Sequence, residues 1–96
     1  MAEVERSYYE TGELLSEVFV LNGKKNGEYK HYWKNGQLQI ICSYIDGKEN
    51  GEFKSYYSNG QLHCNYSYID GKKNGEYKEY YDNGQLRSIC SENCLI

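Results

Sequence analysis

With 96 residues, a formal net charge of −3 and a pI near 5.3, the chain suits one small domain of modest core, and it lacks the concentrated basic surface that nucleic acid calls for. Its 11 Lys and Arg lie singly or in pairs, which argues against an anionic membrane surface as the main partner. No apolar run approaches the roughly 20 residues of a membrane span, the acidic opening MAEVERSYYETG has no signal-peptide core, and in the ending SENCLI Cys94 stands one position too late for a prenylation box.

In chain order, residues 1–22 read as a degenerate half-repeat, with strands near 5–10 and 13–21 around Thr11-Gly12. Residues 23–46, GKKNGEYKHYWKNGQLQIICSYID, form repeat 1, with strands near 28–34 and 37–45 around Asn35-Gly36. Residues 47–70 form repeat 2, with strands near 52–58 and 61–69 around Asn59-Gly60. Residues 71–94 form repeat 3, with strands near 76–82 and 85–91 around Asn83-Gly84. Repeats 1 and 2 match at 15 of 24 positions, which marks a repeat architecture rather than chance similarity.

Asn-Gly between two alternating runs suits a two-residue type I′ turn, because both central residues need positive φ. The segments Asn22–Gly27, Asp46–Gly51 and Asp70–Gly75 each carry two glycines and read as longer turns between hairpins. The chain also has 12 Tyr, which favour half-buried pleated surfaces, and no stretch of helical period. The expected fold is therefore all-β, an elongated single-layer antiparallel meander of tandem 24-residue hairpin repeats in one domain, 1–96.

Type I′ loops would set the faces. Trp33 would stand opposite Leu38 and His31 opposite Ile40, so that Tyr29, His31, Trp33, Leu38, Ile40, Cys42 and Tyr44 share the more apolar face. Glu28, Lys30, Tyr32, Gln39, Ile41, Ser43 and Ile45 would share the other, with His63 among their equivalents. Nothing supplies a second layer, so the sheet must curl over its aromatic side or cover it with a partner or a second copy. The last strand leaves an edge open to pairing, and some tendency to form a homodimer is expected.

The sequence suggests no catalytic, cofactor-binding or metal-binding residues. His31 and His63 fall at different repeat positions, on opposite expected faces, and read as ordinary sheet residues. Cys42, Cys64 and Cys90 fall on the apolar face, with Cys42 and Cys64 two strands apart, too far for a disulfide. Free thiols are expected, hence a reducing, cytoplasmic compartment; Cys90 and Cys94 alone are close in sequence. The candidate interaction surface is two aromatic rows, Tyr8, Tyr32, Tyr56 and Tyr80 on the polar face, and Tyr9, Trp33, Tyr57 and Tyr81 on the apolar face.

The phrase Asn-Gly-Glu-Tyr-Lys-x-Tyr-Tyr-x-Asn-Gly-Gln-Leu, followed by Tyr-Ile-Asp-Gly-Lys, resembles the MORN repeat in its second, bacterial and viral variant. It is similar to YwqK-type antitoxin arrays of bacteria and to arrays of giant DNA viruses, over about residues 5–91. The resemblance implies an elongated sheet of hairpins and no catalytic residues to carry over. It implies a scaffolding or protein-binding role, with self-association, toxin neutralisation and phospholipid contact as further roles known in the family, and a host cytoplasm if the protein is viral. Trp33 is the only Trp, where the eukaryotic pattern has a recurrent Gly-x-Trp. The expected function is a non-enzymatic protein-interaction module with a protein partner and no nucleic acid; the alternatives are a toxin-binding antitoxin and a membrane-surface contact.

Overall fold

The computed structural model describes residues 2–90. They form one open antiparallel sheet, 39 × 32 × 15 Å, with strands β1 (Ala2–Tyr8), β2 (Leu14–Leu21), β3 (Lys24–Tyr32), β4 (Leu38–Ile45), β5 (Lys48–Glu49), β6 (Gly51–Tyr56), β7 (Leu62–Ile69), β8 (Lys72–Tyr80) and β9 (Leu86–Cys90). Apart from the two-residue β5, which pairs with β4, the spatial order follows the chain. This is the expected meander. Cys94 and the end of the last expected strand lie outside the described residues.

Both turn assignments change. The two-residue type I′ turns are Asn22-Gly23, Asp46-Gly47 and Asp70-Gly71, where the first residue has φ 52° and the glycine 80–82°. Leu21 pairs with Lys24, Ile45 with Lys48 and Ile69 with Lys72, so the strands start right after these glycines. The segments expected as long turns are thus mostly strand, and their second glycines, such as Gly27 at φ 113°, sit within or at the start of strands. A Cβ on Gly27 would lie 3.2 Å from the Phe19 Cβ, so the bare backbone lets Phe19 pack there.

The Asn-Gly loops are instead three-residue loops. Gly36 N–H donates to the Trp33 carbonyl (2.9 Å) and Trp33 N–H to the Gln37 carbonyl (2.7 Å). Only Gly36 has positive φ, as expected of a type I turn closed by a left-handed glycine. Asn35 Oδ1 accepts from Gln37 N–H (2.9 Å) while its Nδ2 donates to the Ser58 carbonyl of the next hairpin (2.9 Å). Those two bonds favour a right-handed Asn here over the type I′ alternative.

The extra loop residue is absorbed by a bulge. His31 still faces Ile40, but Tyr32 faces Leu38, and the same shift recurs at Tyr8/Leu14, Tyr56/Leu62 and Tyr80/Leu86. Residues directly opposite share a face. Leu38, Leu62 and Leu86 therefore leave the aromatic face for the charged one, contrary to the type I′ register.

Candidate functional site

The charged face carries one module per repeat. Glu28, Glu52 and Glu76 pair with Lys30, Lys54 and Lys78 two residues on, at 3.4, 3.1 and 3.8 Å. Beside them stand Tyr8, Tyr32, Tyr56 and Tyr80, each opposite a leucine. Tyr32 is half-buried and donates to Glu17 Oε1 at 3.4 Å; burial, then the Glu17 charge, raises its phenol. Tyr8 is exposed at 58%. A cavity of about 260 Å³ opens between repeats, with Leu38, Ile41 and Tyr56 in its lining and Glu28, Glu52 and Lys54 beside them. At the type I′ end, exposed Leu21, Ile45 and Ile69 face Lys24, Lys48 and Lys72 across each turn.

The aromatic face holds every buried side chain found among the described residues: Val18, Val20, Cys42 and Cys64. Rings rather than a second layer cover them. Phe53, Tyr66 and Tyr77 form a continuous stack across β6, β7 and β8, with centroids 4.8 and 5.3 Å apart. Lys73 caps Tyr66 at 5.0 Å, and Lys25 sits over Tyr29 and Tyr44 at 5.1 and 5.0 Å. Burial pushes the Cys42 thiol up to about 11 and the Tyr44 phenol up to about 12. Cys42 therefore stays a protonated, inert thiol at neutral pH.

His63 does not share the charged face, as the type I′ register required. The bulge turns it toward Ser55 (Nδ1 to Oγ 3.1 Å), Tyr57 (ring centroids 4.7 Å) and Glu79 (Nε2 to Oε2 3.6 Å). The equivalent pairs are His31 with Gln39 (2.9 Å) and Glu79 with Arg87 (3.6 Å), so both histidines belong to one polar stripe on the aromatic side. Sequence spacing hides this stripe, because position 63 changes face only through the bulge. The Ser55–His63–Glu79 order superficially matches a nucleophile, base and carboxylate. Ser55, however, lies mid-strand between Ile40 and Cys64, where backbone N–H groups serve the ladder rather than an oxyanion. Among the described residues no group of three His, Cys, Asp or Glu could hold a metal ion.

The second aromatic row works within the sheet. Tyr9 Oη donates to the Tyr32 carbonyl (2.7 Å), Trp33 Nε1 to the Tyr56 carbonyl (3.0 Å) and Tyr57 Oη to the Tyr80 carbonyl (2.7 Å). Asn59 repeats the Asn35 bond by reaching the Asp82 carbonyl (2.8 Å). Each residue thus bonds one position short of a full period away, which ties successive hairpins together at the loop end. At the other end Asn26 and Asn50 accept from Asp46 and Asp70 N–H, and Gly47 and Gly71 N–H reach the Lys25 and Glu49 carbonyls. Trp33 replaces Tyr at this position without loss of the bond. Tyr81, the last of the row, is exposed at 48%, with the Arg87 guanidinium 5.7 Å from its ring centre.

The family model of the MORN repeat variant matches four consecutive segments, residues 4–22, 25–46, 49–70 and 73–91. No curated protein matches the chain. A solved structure, described as the crystal structure of a GtfA/B complex bound to UDP and GlcNAc, is similar over 94% of this chain and 24% of its own, at 17% identity and a TM-score of 0.45. The present chain spans about a quarter of that one.

Proposed function

The chain belongs to the MORN repeat variant family, whose repeats generally mediate binding, and we propose that it acts as a non-catalytic protein-interaction module that presents its charged face to a protein partner. The observation that carries this reading is the row Tyr8, Tyr32, Tyr56 and Tyr80, each opposite a leucine and the last three beside a Glu–Lys pair, on a face that no other element among the described residues covers. Tyrosine supplies large contact area at low entropic cost, and it is enriched where interfaces concentrate their energy. The aromatic stack and the inter-hairpin bonds meanwhile keep the sheet rigid beneath it.

The test is affinity capture of a partner by the intact chain and by the triple variant Tyr32→Ala, Tyr56→Ala, Tyr80→Ala, checked for folding by circular dichroism. Loss of the partner with the variant supports the charged face. Retention of every partner by a folded variant removes it. A second reading, contact with an anionic membrane surface, is favoured by the rim of Leu21, Ile45 and Ile69 beside Lys24, Lys48 and Lys72. Failure to float with anionic liposomes at low salt would end that alternative.

A further inference from the structure

The three junctions between hairpins are one contact repeated. Ser16 and Glu17 face His31 and Lys30, Ile40 and Ile41 face Ser55 and Lys54, and Cys64 and Asn65 face Glu79 and Lys78, each set 24 residues after the last. The loop-end bonds repeat with them. Tyr9, Trp33 and Tyr57 donate to the Tyr32, Tyr56 and Tyr80 carbonyls, and Asn35 and Asn59 donate to those of Ser58 and Asp82. The next donors in these two series, Tyr81 Oη and Asn83 Nδ2, reach no carbonyl among the described residues, although Tyr81 meets Arg87 and Asn83 Oδ1 accepts from Gln85 N–H. One period before the first acceptors of each series lie the carbonyls of Tyr8 and Glu10.

Among the described residues the sheet has two edges, β1 and β9, each with one neighbour. They carry opposite halves of a junction. Inside the sheet, Leu38 and Ile41 of β4 meet Lys54 and Tyr56 of β6 around the 260 Å³ cavity. On β9 the equivalent residues are Leu86 and Ile89, exposed at 52% and 51%. On β1 they are Arg6 and Tyr8, the latter exposed at 58%.

We propose that a second copy of this chain docks its β1 against β9 and continues the sheet in the internal register, with Ser88 opposite Ser7 and Ile89 opposite Arg6. Tyr81 Oη and Asn83 Nδ2 then donate to the Tyr8 and Glu10 carbonyls of the second copy, and Leu86, Ile89 and that copy's Tyr8 enclose a further cavity. Any strand could pair with the edge of β9 through its main chain. A second copy is the partner that fits, because β1 is the equivalent of β3, β6 and β8, the strands that make these contacts inside the sheet. One residue of β1 departs from the pattern. Glu5 stands where Tyr29, Phe53 and Tyr77 stand, and in this register it falls beside Cys90. A carboxylate there opposes burial, so the contact is weaker than the internal junctions and reversible. The contact joins unlike edges, so every assembly keeps one β1 and one β9 free and does not close at two copies. The proposal goes beyond the partner reading above, since it uses the edges of the sheet, and either can fail alone.

The test is sedimentation of the full chain over a range of concentrations, combined with a thiol map of the contact. The expected result is a concentration-dependent series that runs past the dimer. Within one chain β1 and β9 stand seven strand spacings apart, about 34 Å, so thiols placed on them can meet only between copies. A mixture of Ser7→Cys and Ser88→Cys chains, oxidised with glutathione disulfide, should give a bridge between positions 7 and 88 by mass-spectrometric mapping. Glu5→Tyr, which restores the aromatic residue of the internal strands, should strengthen association about fivefold. Tyr81→Phe should weaken it by a similar factor of about five. Both variants are checked for folding by circular dichroism, and the thiol map depends on neither. A chain that stays monomeric up to its solubility limit, bridges only between like positions, or association indifferent to both substitutions overturns the proposal.

Discussion

Substituting one phenol in the repeating row offers a test with its own internal control. Tyr57→Phe keeps the ring and deletes only the hydroxyl that donates to the Tyr80 carbonyl at 2.7 Å. A neutral hydrogen bond of this kind contributes about 0.5–1.5 kcal/mol net, and the half-buried carbonyl loses its partner as well, so a loss of about 1 kcal/mol is expected. In a domain of this size that lowers Tm by about 4–8 °C. Tyr81→Phe is the same chemical change at the equivalent position, but the Tyr81 side chain is exposed at 48%. It should shift stability by less than about 0.5 kcal/mol. Trp33→Tyr should cost less than Trp33→Phe, since tyrosine makes the equivalent bond at Tyr9 and Tyr57. The assay is thermal and urea unfolding of the four variants by circular dichroism. Equal losses for Tyr57→Phe and Tyr81→Phe would refute the inter-hairpin bond as the cause, and so would no loss at Tyr57.

Gly27→Ala should destabilise by about 1–3 kcal/mol, because φ 113° strains any L side chain and the new Cβ would press on Phe19; urea midpoints relative to Gly36→Ala, which opens onto empty space, measure the packing part. Asp46→Ala should cost about 1–2 kcal/mol at φ 52°, and Asp46→Asn should hold or raise stability, since Asn tolerates the left-handed region of a type I′ turn; both are read from Tm. Stability should fall as pH rises from about 9 toward 12. Burial raises the folded-state values of Cys42 to about 11 and of Tyr44 and Tyr77 to about 12, above the unfolded values near 8.5 and 10. The unfolded chain thus releases protons first, so the stabilisation is fully present below the unfolded values and is lost as pH passes through the folded ones. A Tm that stays flat from pH 8 to 11, with Cys42→Ala indistinguishable in slope, would contradict this.

The 24-residue recurrence, the alternation of side chains and the paired glycines determined by themselves that this chain is a single-layer meander, and they placed Cys42, Cys64, Tyr29, Tyr66 and Tyr77 together on one face. These are local and periodic properties, and period alone carries them. The turn classes escaped because Asn-Gly and Asp-Gly share the same local propensity. What separated them was the loop closed in the folded hairpin, where Asn35, Asn59 and Asn83 Oδ1 accept from the Gln37, Gln61 and Gln85 N–H and only the glycine that follows each Asn takes positive φ. From the three-residue loop follows the bulge, which recurs at Tyr8/Leu14 and Tyr80/Leu86, and from the bulge the movement of Leu38 to the charged face and of His63 to the aromatic one. The cavity beside Ile41 and the polar stripe through Ser55, His63 and Glu79 were decided there, because a strand's two faces are one residue apart and a single inserted residue exchanges them.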